Sequence, residues 1–384
     1  MKRVEQYQGF ELGPIRPPSE AGSLLLRVTR NCPWNRCRFC ALYKGEQFTL
    51  RPVEDVIEDI NQIKRCVDLI GESFSRPKGS GVQRLAGVIS AHDPGDMMAL
   101  QMAYNWMRSG MASVFLQDAN TLIVKPGNLL RILNHIKSTF PGVTRITSYA
   151  RSKTLVRIDD EALQRLADAG LNRIHIGVES GCDSVLQLMD KGVDKAGHIS
   201  AGKKVKRAGV ELSVYYMPGL GGEKLSQENA LETADAVNQM DPEYIRIRSL
   251  AIPAATELHR LVEAGVFKPL GDRKTVTELL LFIEHLQGIK STIKSDHILN
   301  LLQEVEGRLP EEREAITDPL NRFLSLSERE QIIFMVGRRS GIFRSLEEVN
   351  DTRLRRQAEQ LVTTNSVTAE NVDEFTAQMV SRFI

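Results

Sequence analysis

Leu24-Leu25-Leu26-Arg27-Val28-Thr29 runs directly into Arg30-Asn31-Cys32-Pro33-Trp34-Asn35-Arg36-Cys37-Arg38-Phe39-Cys40. An apolar run of strand length therefore ends in a loop that gathers three of the chain's five cysteines into nine residues. Three thiolates can hold three irons of a 4Fe-4S cluster and leave the fourth iron open to a non-protein ligand. An electron-transfer cluster or a closed zinc site takes four ligands. The other two cysteines, Cys66 and Cys182, fall in segments with helical explanations of their own. No further Cys or His stands near the loop in sequence to complete a zinc tetrahedron.

Beyond this loop the pattern settles into alternation. Apolar segments of strand length at 112–116, 145–148, 173–177, 211–217 and 244–249 are separated by helical patterns at 126–140, 159–169, 183–208 and 226–240. Strands too apolar to keep a solvated face, each followed by a helix, predict a parallel sheet with right-handed crossovers. With 24–29 included, six strands are expected. Earlier in the chain Val53, Val56, Ile57, Ile60, Ile63, Val67 and Ile70 recur at helical spacing behind Arg51-Pro52. Residues 71–112 exceed a helix-to-strand link and read as an insertion, with Gly87-Val88-Ile89-Ser90 followed by a helical run from Pro94 to Arg108. Residues 1–23, rich in Gly and Pro, read as an irregular lead-in.

A chain of 384 residues accommodates a barrel-sized domain of about 250 residues and an appendage of about 100. Its 42% apolar and 26% charged residues are those of a globular protein, and no apolar run approaches the roughly 20 residues of a membrane span. The polar start, Met1-Lys2-Arg3-Val4-Glu5, lacks the apolar centre of a secretory signal, so a cytoplasmic location is expected. Fifty basic against forty-nine acidic residues give no whole-chain footprint for a phosphate backbone, while leaving room for a local basic groove. An odd, clustered set of cysteines argues for reduced thiols, and an accessible cluster would be oxygen-sensitive.

A three-cysteine loop after the first strand, with the aromatic Phe39 before the last cysteine, resembles the cluster loop of the radical S-adenosylmethionine (radical SAM) superfamily. The spacing here is Cys-x4-Cys-x2-Cys, one residue longer than the commonest form. The resemblance implies an α/β fold, a partial (β/α)6 TIM-type barrel over residues 24–270, and the helical patterns beyond it read as a helical appendage over 271–384. It also implies a 4Fe-4S cluster on Cys32, Cys37 and Cys40, with SAM chelated through its amino and carboxylate groups at the open iron. An electron donor such as flavodoxin or ferredoxin would be the partner.

In such barrels chemistry gathers at the carboxyl ends of the strands. The second strand ends Gln117-Asp118-Ala119-Asn120, where many relatives carry Gly-Gly-Glu. Asp118 stands as the acid for the SAM ammonium, and an Asx turn by Asp118 or Asn120 is the alternative. The fourth strand ends Gly177-Val178-Glu179-Ser180-Gly181, which resembles the Gly-x-Glu-Ser-Gly run of branches that include the tRNA methylthiotransferases. Glu179 and Ser180 are thereby expected near the SAM ribose, although Ser180-Gly181 also suits a helix start. Met217-Pro218-Gly219 after the fifth strand is similar to the turn that approaches SAM in the same families. The third strand end contributes Ser148-Tyr149-Ala150-Arg151, with Ser148 expected towards SAM and Arg151 towards substrate, and a loop role as the alternative for each. His175, within an apolar strand, reads as a core histidine.

The sixth strand, Tyr244-Ile245-Arg246-Ile247-Arg248, sets two arginines on one side, and an inward guanidinium needs an anion: SAM, substrate or a structural acid. Past Glu257 the strand signal stops and helical patterns continue. Ser295-Asp296-His297 reads as a capped helix start with an alternative role near substrate, and Gly337-Arg338-Arg339 as a solvated basic turn. Arg151, Arg246, Arg248, Asp296 and His297 are thus the candidates to face the substrate. A reaction like that of oxygen-independent coproporphyrinogen oxidase, or an RNA-base modification, follows from family analogy alone. A non-catalytic cluster or haem carrier on the same barrel and a zinc scaffold are the readings from other classes.

Overall fold

A computed structural model describes residues 7–75 and 97–380. The expected strand-like piece at Gly87-Val88-Ile89-Ser90 and the start of the following helix at Pro94 lie outside the described residues. The strands are β1 (Leu24–Arg27), β2 (Thr29–Arg30), β3 (Thr49–Leu50), β4 (Ser113–Gln117), β5 (Arg145–Ala150), β6 (Leu171–Glu179), β7 (Glu211–Tyr216), β8 (Tyr244–Ile247), β9 (Thr292–Lys294) and β10 (Gly307–Arg308). Eight of them form one open sheet in chain order, β1-β4-β5-β6-β7-β8-β9-β10, while β2 and β3 make a separate antiparallel pair. β1 runs parallel to β4, β4 to β5, β7 to β8 and β8 to β9, while β10 is antiparallel to β9. A mainly parallel sheet wound in sequence order with helices in the crossovers is the α/β topology expected of a partial barrel.

All six expected strands are present, each within a few residues of its predicted bounds. β4 and β5 are buried along most of their length, as strands covered on both faces should be. Helices Pro126–Thr139, Asp160–Asp168, Lys195–Arg207 and Ser226–Met240 stand between the strands. In the first of these Pro126 opens the helix, and Leu129, Ile132, Leu133 and Ile136 form its buried stripe. The insertion supplies the helix Met97–Arg108, where Trp106 is buried and donates its indole N–H to the Ser113 carbonyl at 2.8 Å.

The expectation that strands end before residue 257 is overturned by β9 and β10. β9 is three residues with a single apolar side chain, Ile293, and no periodicity can be read from so short a run. Pairing places it: Tyr244, Ile245 and Arg246 of β8 face Thr292, Ile293 and Lys294. A helix at Arg313–Ser325, also absent from the sequence reading, carries an internal Pro319 that breaks the helical signal.

The chain divides into two compact units, residues 1–33, 45–175 and 207–211, and residues 34–44, 176–206 and 212–384. In the first, charge rather than apolar pattern orders the lead-in. Glu11 accepts from Arg30 at 2.7 Å and pairs with Arg51 at 2.6 Å and Arg27 at 3.3 Å. Burial raises the Glu11 carboxyl, but the Arg30 bond and the charges of Arg51, Arg30 and Arg27 outweigh it and hold the group below its ordinary range. Arg51 also pairs with buried Asp59, which takes a further hydrogen bond from the Tyr7 hydroxyl at 2.7 Å. Gln117 pins Gly13 at both its N–H and its carbonyl. His175 is a core residue, 3.8 Å from buried Glu20 and ringed by Tyr149 and Phe115.

Candidate cofactor and substrate site

The cysteine loop has no regular structure between residues 31 and 44, so other contacts must fix it. Trp34 donates its indole N–H to the Asp190 carbonyl at 2.7 Å, and its ring covers Gly192 so closely that a Cβ there would lie 2.3 Å away. Gly192 also has φ +71°, so both space and backbone require glycine. Arg36 bonds to the Asp190 carboxylate at 3.0 Å. The Arg38 N–H donates to the Met189 carbonyl at 3.0 Å, and its guanidinium bonds to the Leu188 carbonyl and pairs with Glu257 at 2.8 Å. Phe39 packs on the apolar cluster of Cys182, Val185, Met189, Met217, Leu220, Leu258 and Phe267. Four side chains of the loop thus grip the segment 188–192.

Cys32, Cys37 and Cys40 are half-buried, whereas Cys66 and Cys182 are buried, Cys182 within an apolar cluster. Among the described residues no three Cys, His, Asp or Glu side chains converge into a preassembled metal site. By donor type and number the three thiols suit a cluster with one open iron, and a metal draws such ligands together as it binds.

At the end of β4, Asp118 is fully buried. Its carboxylate accepts from Arg27 at 3.1 Å and from the Asn31 N–H at 3.3 Å, which ties it to the residue before Cys32. Asn120 is buried too, bonded to the Thr154 hydroxyl at 2.8 Å and to the Arg151 N–H at 3.0 Å, so it joins the ends of β4 and β5. Ser148 is buried within β5 and Arg151 precedes the short helix Ser152–Arg157 half-exposed.

At the end of β6, Glu179 adopts φ +64° and pairs with Lys191, whose ammonium lies over the Phe39 ring at 5.8 Å. A Cβ on Gly177 would meet the Glu179 carboxylate at 2.5 Å. Ser180 accepts from the Cys182 N–H at 3.0 Å, a turn that starts the helix Asp183–Leu188. The Gly181 N–H donates to the Thr233 hydroxyl at 2.7 Å.

The turn after β7 is organised by a residue that sequence reading left out. Glu278, on the helix Asp272–Glu284, is buried and accepts from four donors: the Tyr216 hydroxyl at 2.9 Å, the Gly219 N–H at 3.0 Å, the Ser226 hydroxyl at 2.6 Å and the Asn229 amide at 2.7 Å. Burial raises its pKa against the pull of these donors. Gly219 holds φ +87°, and Phe282 of the same helix stacks on Tyr216 at 4.1 Å.

At the ends of β8 and β9 the two arginines part company. Arg246 is buried and paired with Asp296 at 2.8 Å, so its anion is structural; Arg248 lies beyond the last residue of β8 and is exposed. Residues 295–300 form no helix start. They are an irregular segment held by Asn300, which accepts from the Ser249 N–H at 2.8 Å and donates to the Ile247 carbonyl at 2.9 Å. Nor are Gly337-Arg338-Arg339 a solvated turn: they are the last turn of the helix Glu328–Arg339. Arg339 is buried against Asp272 and donates to the Leu299 carbonyl at 2.7 Å, while Arg338 donates to those of Leu301 and Asn300.

His297 in this segment is pushed down to about 4 by burial first and then by the Arg248 charge, with Asp296 opposing. A histidine neutral in the folded state meets an unfolded chain that binds a proton below its ordinary value near 6.5. Stability is therefore expected to fall as pH drops from about 6.5 to 4, by roughly 2–3 kcal/mol from this residue after allowance for its partial exposure. Denaturant unfolding at pH 7 and pH 4.5 should show a smaller drop for His297→Gln than for the parent; equal drops would contradict the assignment.

Residues 96–234 match the family model of the radical SAM superfamily. Over that stretch, about a third of its length, this chain is similar to the radical SAM superfamily. It is 23% identical over 118 residues to a tRNA uridine(34) acetyltransferase of Methanocaldococcus infernus, covering 30% of this chain and 22% of that protein. It is 24% identical over 235 residues to a tRNA-2-methylthio-N(6)-dimethylallyladenosine synthase of Colwellia psychrerythraea, covering 59% and 39%. The aligned parts thus span well under half of these curated relatives. Among solved structures it is similar to an N-terminally truncated Elp3 of Methanocaldococcus infernus, at 15% identity, TM-score 0.42 and 55% of each chain. It is also similar to the coproporphyrinogen III oxidase of Escherichia coli, at 13% identity, TM-score 0.44, 69% of this chain and 52% of that one.

Asp118, Asn120, Ser148, Arg151, Glu179, Ser180 and Gly219 lie within the matched radical SAM domain; the three cysteines, Arg246, Arg248, Asp296 and His297 lie outside it. Lys191 and Glu278, which meet candidate residues of that domain, had no signature of their own in sequence. Each is a charged residue in a helical or turn context, where solvation is the ordinary reading. No helix among the described residues is long and apolar enough to cross a membrane.

Proposed function

We propose that this chain is a radical SAM enzyme, with Cys32, Cys37 and Cys40 holding a 4Fe-4S cluster and the strand ends holding SAM. The observation that carries this reading is a three-thiol loop gripped through Trp34, Arg36, Arg38 and Phe39 by the segment that follows the end of β6. When bound, the cluster supplies the single electron that cleaves SAM reductively and starts radical chemistry. Glu179 accepts from the vicinal ribose hydroxyls, its charge balanced by Lys191. Ser148, Asn120, Ser180 and Phe39 complete the cofactor surroundings, and Gly219 lets backbone approach SAM closely. Asp118, the acid proposed for the SAM ammonium, is already matched by Arg27, and it bears on the cofactor first by holding Asn31 beside Cys32. A flavodoxin- or ferredoxin-type donor delivers the electron. Two relatives named as tRNA-modifying enzymes make an RNA base one substrate class to assay, although this chain's net charge of +1 gives no broad footprint for RNA.

Anaerobic reconstitution with iron and sulfide, followed by dithionite and SAM, tests the reading. The expected products are 5′-deoxyadenosine and methionine. Cluster absorbance without these products would instead make the chain a carrier, and zinc uptake with no cluster absorbance a scaffold.

A further inference from the structure

Two arginines leave the end of β8, and an acid neutralises only one. Arg246 is paired with Asp296; Arg248, two residues on, is exposed and forms no ion pair among the described residues. Its backbone is fixed, because the Arg248 N–H donates to the Tyr216 carbonyl at 3.0 Å and so stays beside the carboxyl end of β7. The neighbour whose titration feels the Arg248 charge is His297. His297 Nδ1 accepts from the Leu299 N–H at 3.4 Å, which leaves the ring proton of the neutral imidazole on Nε2, as a donor. Arg246 pairs with Asp296 at 2.8 Å and the Ser249 N–H donates to Asn300 at 2.8 Å, so segments 246–249 and 296–300 run side by side with Arg248 and His297 between these two contacts, and the Asp296 carboxylate is already engaged by Arg246.

The segment carrying His297 is also held from behind. Asn300 fastens it to Ser249 and Ile247, and Arg338 and Arg339 bond to the carbonyls of Leu299, Asn300 and Leu301. Donors held in place before a ligand arrives bind it with less loss of freedom. Ile298, 58% exposed, adds apolar surface beside them.

We propose that Arg248 and His297 form a receptor for an anionic group, a carboxylate or a phosphate, carried by the substrate. Calling the ligand a substrate rests on the radical SAM reading above; the receptor itself does not. A guanidinium with a second donor is the pattern that recognises such oxygens through charge-assisted hydrogen bonds. Where a radical acts, holding a remote charged group fixes which hydrogen is presented.

The test uses full-length protein labelled with 15N-histidine, with the His297 signal assigned through His297→Gln. Inorganic phosphate and acetate are titrated separately at neutral pH, each against potassium chloride at matched ionic strength. The expected result is a saturable shift of the His297 Nε2 resonance, with affinity about tenfold or more weaker in Arg248→Gln and partly restored in Arg248→Lys. The anion that binds more tightly distinguishes a phosphate-bearing from a carboxylate-bearing substrate. No response to either anion, the same response to chloride, or an undiminished response in Arg248→Gln would overturn the receptor. A response to SAM that displaces the added anion would assign it to the cosubstrate and overturn the substrate role. None of these measurements requires a cluster, so failure to form 5′-deoxyadenosine would remove the enzymatic reading and leave the receptor standing.

Discussion

Alanine in place of Cys32, Cys37 or Cys40 is expected to abolish the iron-sulfur absorbance of the reconstituted protein, not merely reduce it. Losing one thiolate leaves a cubane with two protein ligands and two open irons, and ligand loss of this kind costs the site rather than a fraction of its affinity. Cys66→Ala and Cys182→Ala should keep the full absorbance, because both thiols are buried and lie outside the cysteine loop. Iron content measured alongside the spectrum separates loss of the cluster from loss of the protein. A full iron complement in Cys37→Ala would remove the ligand assignment.

Glu278→Leu is expected to destabilise the fold by about 3–5 kcal/mol. Four buried or half-buried donors, on Tyr216, Gly219, Ser226 and Asn229, would lose a shared acceptor, and unsatisfied buried donors cost about 1–3 kcal/mol each with strong non-additivity. Glu278→Gln keeps one acceptor oxygen and the shape, so it should cost only about 1–2 kcal/mol. Denaturant unfolding of the two variants measures the difference. Equal and small effects would show that the Gly219 turn is held by other contacts.

The same residue shows why part of the site was illegible. Glu278 sits at a helical position with an ordinary charged side chain, and its four partners come from 216–229, 49 to 62 residues away in sequence. Arg246 did carry a signal, since an inward guanidinium in an apolar strand needs an anion. Yet three classes of anion satisfied that requirement, and only the pairing of β8 with β9 brings Asp296 to it. Arg338 and Arg339 misled for the opposite reason. Two adjacent arginines near glycines read as a solvated turn, but the carbonyls of Leu299, Asn300 and Leu301 supply the acceptors that allow them to leave water.

Period and local chemistry were sufficient for the rest. The six expected strands announced themselves because each is a short apolar run between helical stripes, and a chain alternating in that way has few topologies open to it. The loop Cys32-x4-Cys37-x2-Cys40 stood out because three cysteines within nine residues are neighbours along the chain whatever the fold. The sequence alone thus determined the α/β class, the six strands and the clustering of three cysteines in one loop, all read from residues near one another in the chain. Tertiary structure decided the strand β9, the grip of residues 188–192 on the cysteine loop, and which acid meets which base. Those depend on contacts between residues far apart in the chain, where any of many carboxylates would satisfy the same guanidinium until packing chooses one.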